Sequence, residues 1–214
     1  MADNYLEKRY EEVFGQGKTK VKKVGHTLDE LLLKNRSCRG YNKSFVVTED
    51  MLLRIVQVNT RIASGCNRQV LRYRLVTQGQ ESVDVLKAVK MGAALPELHL
   101  PFPDTEPEAF IVVCCEGAEN KLVDIDLGIS LQSMTLKVTE MGLSSLIIGA
   151  FNKETIKEAL SLDLEPLAIL AVGKGVEKFE LVPISKEESR AYYRNNGVHY
   201  IPKVRLEDLI VVKD

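Results

Sequence analysis

The chain has 214 residues, 45 % of them apolar, enough to bury a core in one large domain or two small ones. Its 29 basic and 30 acidic side chains nearly cancel, so no global field draws in nucleic acid or an anionic membrane, and any bound anion must be held by a local cluster. No apolar run reaches the roughly eighteen residues of a membrane span, and the opening MADNYLEKRYEEVF lacks the charged-then-apolar build of a signal peptide, so a cytoplasmic protein is expected.

Residues 3 to 14 carry a helical pattern. GQGKTK (15–20) contains the GKT of a phosphate loop, but the glycine required five places before Gly17 is replaced by Glu12. HTLDELLLKN opens with Thr27 and has Glu30 three residues on, a capping box before a leucine run, so a helix is expected there. VVTEDMLLRIVQVNTRIASG (46–65) repeats the pattern: Thr48 caps, two acids follow, and Leu52, Leu53, Ile55, Val56 and Ile62 form the apolar stripe of a second helix.

VLRYRLVT (70–77) alternates, with Leu71, Tyr73 and Leu75 on one side and Arg72 and Arg74 on the other, which predicts a half-exposed strand. SVDVLKAVKMGAAL (82–95) predicts a short helix and PELHLPFPDTEPEA a proline-punctuated loop. AFIVVCC (109–115) and EPLAILAVG (165–173) are apolar runs bounded by turn residues, expected as central strands covered on both faces. Between them VDIDLGISLQSMTLKVTEMG begins as a helix apolar on nearly every side, which places it in the middle of something; Gly142 ends it. Gly128 inside it costs about 1 kcal/mol against alanine, which points to close approach of a neighbouring backbone or a ligand. LSSLIIG then predicts a strand, and NKETIKEALSL a helix capped near Asn152 or Thr155. VGKGVEKF (172–179) starts like a dinucleotide fingerprint, yet the third glycine position is Lys178. The tail from Lys186 has three tyrosines, an Asn-Gly turn and a strand-like LIVV. The whole order predicts a mixed α+β layer structure.

Four cysteines show no CxxC pair and are expected as reduced core thiols, and three scattered histidines have no metal-like spacing. Three clusters could carry chemistry. NRSCRGYN (35–42) places Arg36, Ser37 and Arg39 at a helix-to-loop junction, and guanidinium forks beside a hydroxyl suit a phosphate monoester; the plain alternative is a solvated turn. Lys203 and Arg205 in IPKVRL share one face of an extended segment, or simply guard a strand edge with charge. ASGCNRQ (63–69) offers the amides of Asn67 and Gln69, donors and acceptors that a uracil-like edge requires, in what is otherwise an ordinary loop.

NRSCRGY, ASGCNRQ, D-x-G-x-x-x-Q (Asp126, Gly128, Gln132), MGLSSLIIGAF, LEPLAILAVG and IPKVRL, in that order from about residue 27 to 210, resemble the landmarks of the nitroreductase family. That resemblance implies an α+β fold with a central mixed β-sheet flanked by helices, in an intertwined homodimer that holds FMN at the subunit interface. Residues 1–214 would form one FMN-binding domain, with a helical arm at 1–25 and a C-terminal extension at 185–214 swapped onto the partner. It implies that Ser37 and Arg39 contact the phosphate, ribityl chain or pyrimidine side of FMN; many members have a basic ligand where Asn35 stands, and the resemblance leaves open whether the adjacent Arg36, a candidate cofactor ligand, takes over that role. Ala63, Ser64, Gly65, Asn67 and Gln69 would reach the partner's FMN, although Val70 and Leu71 replace the family's proline and tryptophan. Gly149 would face flavin N5, with Ile148 and Ala150 against the ring, and Lys203 and Arg205 would close on the phosphate. The implied activity is hydride transfer from NADH or NADPH through FMN to a nitroaromatic, quinone or related electron-poor acceptor, with no side chain as acid or base. The same family resemblance leaves room for dehalogenation or flavin fragmentation, or for a non-catalytic flavin-binding homodimer, and the lid-like segment 91–108 does not decide among them.

Overall fold

The computed structural model describes residues 25–92 and 96–211, so the helix expected at 3–14 and the GQGKTK segment lie outside the described residues. The first described helix, α1 (Leu28–Lys34), begins as its capping box dictates: the Thr27 hydroxyl accepts from the Glu30 N–H, and the Glu30 carboxylate accepts from the Thr27 N–H at 3.0 Å. Thr48 caps α2 (Glu49–Val56) in the same manner. The helix expected to run on to residue 65 stops at Val56 and tightens into a 3-10 turn at Gln57–Thr60. Side chains cause this, because Asn59 Nδ2 donates to the Val56 carbonyl and Thr60 Oγ1 to the Gln57 carbonyl, competing for helical acceptors.

Strand β1 (Leu71–Val76) keeps the predicted alternation: Leu71, Tyr73 and Leu75 pack on the core, while Arg72 and Arg74 pair with Glu116 and Glu81. Helix α3 (Gln80–Ala88) ends seven residues before the expected limit at 95. The chain after it is drawn into an extended pairing with the IGAF segment, through a Val89–Phe151 bridge, Lys90 N–H to the Ala150 carbonyl, and Asn152 N–H to the Ala88 carbonyl. Strand β2 (Ala109–Cys115), helix α4 (Lys121–Glu140), strand β3 (Ser144–Ile148), helix α5 (Lys153–Leu160) and strand β4 (Glu165–Gly173) follow, with Asn120 and Asn152 as the caps of α4 and α5.

These strands form one antiparallel sheet ordered β1-β2-β4-β3. The uninterrupted apolar runs of β2 and β4 are central, as expected. Ala109, Ile111 and Val113 point to one face, where Leu52, Ile55, Leu131, Met134 and Val138 of α2 and α4 cover them. Phe110, Val112 and Cys114 point to the other, against Val85, Ile156 and Leu160 of α3 and α5. Burying each large apolar side chain contributes about 1.5–3 kcal/mol, and period-two alternation with helices on both faces is why these strands tolerate no charge. The result is the α+β layer structure foreseen, a sheet flanked by helices, although the central sheet, expected to be mixed, is antiparallel throughout.

A second sheet, ordered β5-β7-β6, is built by β5 (Lys178–Ile184), β6 (Tyr193–Asn195) and β7 (Val198–Val204), with β5 parallel to β7. Strand β5, which shares only Lys178 and Phe179 with VGKGVEKF, is an element that the sequence reading does not anticipate. The strand-like LIVV (209–212) is corrected as far as it is described: Leu209 closes a short helix, α6 (Leu206–Leu209), with Glu207 and Asp208 in its first turn, Ile210 and Val211 belong to no strand, and Val212 lies outside the described residues. No helix among the described residues is long and apolar enough to cross a membrane.

One face of α4 has no cover within the described chain. Leu122 is 40 % and Ile125 48 % exposed, and Leu28, Leu32 and Leu33 of α1 are exposed as well. A Cβ added at Gly128 would meet nothing within 4 Å, so the close neighbour expected there does not come from the described chain.

Candidate functional site

The NRSCRGY segment is built as a rigid wall. The Cys38 N–H donates to the Ser145 carbonyl at 3.0 Å, Ser37 and Ser145 form a parallel bridge, and Tyr41 bridges Gly175. Tyr41 is buried and donates its hydroxyl to the Cys38 carbonyl at 2.7 Å. The glycines of VGKG make room for this: a Cβ on Gly173 would lie 2.6 Å from the Tyr41 ring, and one on Gly175 would lie 2.8 Å from Cys38 Sγ. Close backbone approach, and no dinucleotide, accounts for both glycines.

On this wall the three predicted anion ligands have distinct surroundings. Ser37 is exposed. Arg39 is half-buried, and its Nη1 donates to the Ser37 carbonyl at 3.3 Å. Arg36 is half-buried too; its Nη1 donates to the Asn35 carbonyl at 2.6 Å, but its Nε is buried with no partner. Burial pushes the Arg36 guanidinium below its ordinary pKa. Neither arginine forms an ion pair with a described residue, so a bound anion would relieve an uncompensated, partly desolvated charge. Asn35 turns away from this group: its Nδ2 donates to Thr135 Oγ1 on α4 at 2.9 Å, which makes it a docking residue and leaves Arg36 as the cation at that level.

The ASGCNRQ loop is held elsewhere on the same helix. Asp126, 6 % exposed, accepts from Ser64 Oγ and from the Gly65 N–H, both at 2.7 Å, and Ser64 Oγ in turn accepts from the Gln69 N–H. Cys66, Asn67 and Gln69 all take positive φ near 50°, a left-handed conformation that non-glycine residues adopt only when the surroundings impose it. Asn67 and Gln69 are exposed and bonded to each other at 3.0 Å. Ala63, Ser64 and Gln69 line a cavity of about 740 Å³ with Leu53, Leu71 and Tyr73. Its polar floor is a chain in which Ser130 Oγ donates to Asn59 Oδ1 at 2.6 Å and lies 2.9 Å from the Tyr73 hydroxyl. Asp126 and Thr135 stand nine positions apart on α4, so one chain separates its two clusters by about 14 Å along the helix axis.

At the end of β3 the alternation decides which side chains are available. Ile148 is 3 % exposed and buried against α3 and α5, so its side chain does not face the wall; Ile147, 43 % exposed, takes the outward position. Gly149 and Ala150 are exposed, and nothing lies within 4 Å of a Cβ built on Gly149, leaving its backbone open to a flat ligand. Ser145, next to the Ser37 bridge, has a buried Oγ without a partner and was not foreseen as a site residue. Lys203 is exposed on β7 and Arg205 is exposed just beyond it, where its N–H donates to the Ile184 carbonyl at 3.0 Å. Among the described residues no hydrogen bond or ion pair joins either of them to Arg36, Ser37 or Arg39. The orphaned Arg36 Nε, the open Gly149 backbone and the outward Ile147 fit a ligand with a phosphate at one end and an apolar ring at the other.

The model of the nitroreductase family matches residues 32–174, from the last turn of α1 to just past the end of β4. No curated protein matches the chain. Among solved structures, a nitroreductase family protein from Clostridium difficile 630 is 28 % identical, covers 71 % of this chain and 86 % of its own, and superposes with a TM-score of 0.56. An FMN- and NADPH-dependent nitroreductase from sphigopyxis sp. strain HMH is 20 % identical over 71 % of this chain and 89 % of its own, with a TM-score of 0.59. A nitroreductase-like protein from Desulfovibrio desulfuricans, solved in complex with FMN, is 16 % identical over 88 % of this chain and 98 % of its own, with a TM-score of 0.63. The matched segment is two thirds of the sequence and contains the four-stranded sheet, the central helix and two of the three sequence clusters, so the chain belongs to the nitroreductase family.

Proposed function

We propose that the protein is an FMN-dependent oxidoreductase that takes hydride from NADH or NADPH and passes it to a nitroaromatic, quinone or related electron-poor acceptor. The observation that carries this reading is Arg36: a half-buried guanidinium with an orphaned Nε and no acidic partner among the described residues, next to the exposed Ser37, whose backbone bridges Ser145 on the strand that ends before the open Gly149. Arg36, Ser37 and Arg39 would hold the phosphate end, joined by Lys203 and Arg205. Gly149 and Ile147 would lie against the ring, and Ala63, Ser64, Gly65, Asn67 and Gln69 would reach the FMN of a partner. FMN, when bound, supplies the hydride chemistry itself. The chain's part is to bind and orient it, to keep cations near it and to shape an apolar acceptor space; no side-chain acid or base is required.

The same reading makes residues 1–214 one domain of a homodimer. The uncovered apolar faces of α1 and α4, around open Gly128, are the surface it would bury. Strand β1 is an edge strand, and the exposed Leu206, Leu209, Ile210 and Val211 of the 185–214 extension suit a segment that packs on a partner. The test is the absorption spectrum of purified protein during anaerobic titration with NADH or NADPH. A yellow dimer that bleaches and is reoxidised by a quinone is expected. Protein that binds FMN without bleaching would be a binding module, and a monomer that retains FMN would overturn the interface.

A further inference from the structure

We propose that Glu177 is the positioning residue of the anion clamp, tying the Arg36–Arg39 loop to the hairpin that carries Lys203 through one shared, buried carboxylate. This rests on the reading that the clamp holds the FMN phosphate. Glu177 sits in the link between β4 and β5 with its side chain 8 % exposed. One of its oxygens accepts the backbone N–H of Arg39, and the other pairs with the Arg194 guanidinium on β6. A carboxylate at that depth is tolerated only because both oxygens are engaged.

The surroundings leave Glu177 no substitute. Arg194 lies over the Phe102 ring at 5.8 Å, and its Nε is buried without a partner; His199, 2 % exposed, has an unpartnered Nδ1. Arg39, Arg194 and His199 thus gather around a single ion-paired acid, and burial together with the two guanidinium charges pushes the imidazole below its ordinary pKa, with Glu177 opposing them. Arg194 is in register with His199 on β7, and Tyr193 stacks on Tyr200 at 4.8 Å, so holding Arg194 holds the start of β7. Lys203 lies four residues farther along β7, on the same face as His199. Because Glu177 takes the backbone of Arg39, the guanidinium is left for a ligand. One carboxylate therefore orients a cation that it does not neutralise by direct contact, and connects two basic groups that lie more than 160 positions apart in the chain.

The experiment is to titrate the full chain and its Glu177→Gln variant with FMN and with riboflavin, which lacks the phosphate, following flavin fluorescence. Loss of positioning should weaken FMN roughly tenfold or more while riboflavin moves by less than about twofold, the scale on which supporting residues act on the ligands they orient. Glu177→Asp keeps the buried charge balance but withdraws the carboxylate from both partners, and should show the same selective loss even if Glu177→Gln does not fold. Equal weakening of both flavins, or unchanged FMN affinity, in whichever variant folds would overturn the role of Glu177. A wild-type chain that binds FMN no better than riboflavin would instead overturn the clamp itself.

Discussion

Removing Asp126 tests how the ASGCNRQ loop is held. Its carboxylate, 6 % exposed, accepts two hydrogen bonds of 2.7 Å, from Ser64 Oγ and the Gly65 N–H. Hydrogen bonds to a charged group contribute about 1.5–3 kcal/mol each, and alanine also ends the cost of burying that charge, so Asp126→Ala should lose about 3 kcal/mol net. Three left-handed residues, Cys66, Asn67 and Gln69, are then free to relax, which should release the loop rather than leave it strained in place. Asp126→Asn keeps one acceptor for the Gly65 N–H and turns its amide toward a Ser64 hydroxyl that can still accept, so it should lose only about 1 kcal/mol. Urea denaturation measures both, and for a chain of this size the alanine variant should melt about 6–12 °C lower. Midpoints for alanine and asparagine that coincide, or an alanine variant as stable as wild type, would refute the anchoring role.

Gly173→Ala places a methyl 2.6 Å from the Tyr41 ring; it should destabilise the chain by about 1–3 kcal/mol and weaken FMN binding, both read in one denaturation and titration series. Of the four thiols, only Cys66 is exposed, so iodoacetamide should label one cysteine in the native chain and four in denaturant, counted by mass spectrometry. Burial pushes the Cys38 and Cys114 thiols from 9.0 up to about 11. Above 9 the unfolded thiols lose protons that the folded ones keep, so the stability that burial of the neutral thiols provides is complete below pH 9 and lost as pH rises to about 11. Replacing both cysteines by alanine should flatten that part of the pH profile.

Local patterns were read directly from the chain. Thr27, Thr48 and Asn152 act as caps because a side-chain oxygen and an N–H three residues on are neighbours in any helix start. The strands AFIVVCC and EPLAILAVG were bounded correctly because unbroken apolar runs leave no other economical burial. Where side chains compete for helical carbonyls, as at Asn59 and Thr60, the apolar stripe continues past the point at which the helix stops. Which of Ile147 and Ile148 turns outward depends on the side on which the core lies, and that is a tertiary fact.

The residue types that suit a phosphate, and the order of landmarks that marks the nitroreductase family, were therefore determined by the sequence alone. Only the folded chain decided what each does. Asn35 meets Thr135 a hundred positions away, Ser64 meets Asp126 across 62, and the Arg39 N–H finds Glu177 across 138. No periodicity carries such pairings, because they arise when separate elements close on one another; for that reason Glu177, invisible in VGKGVEKF, became visible only as a buried carboxylate between two arginines.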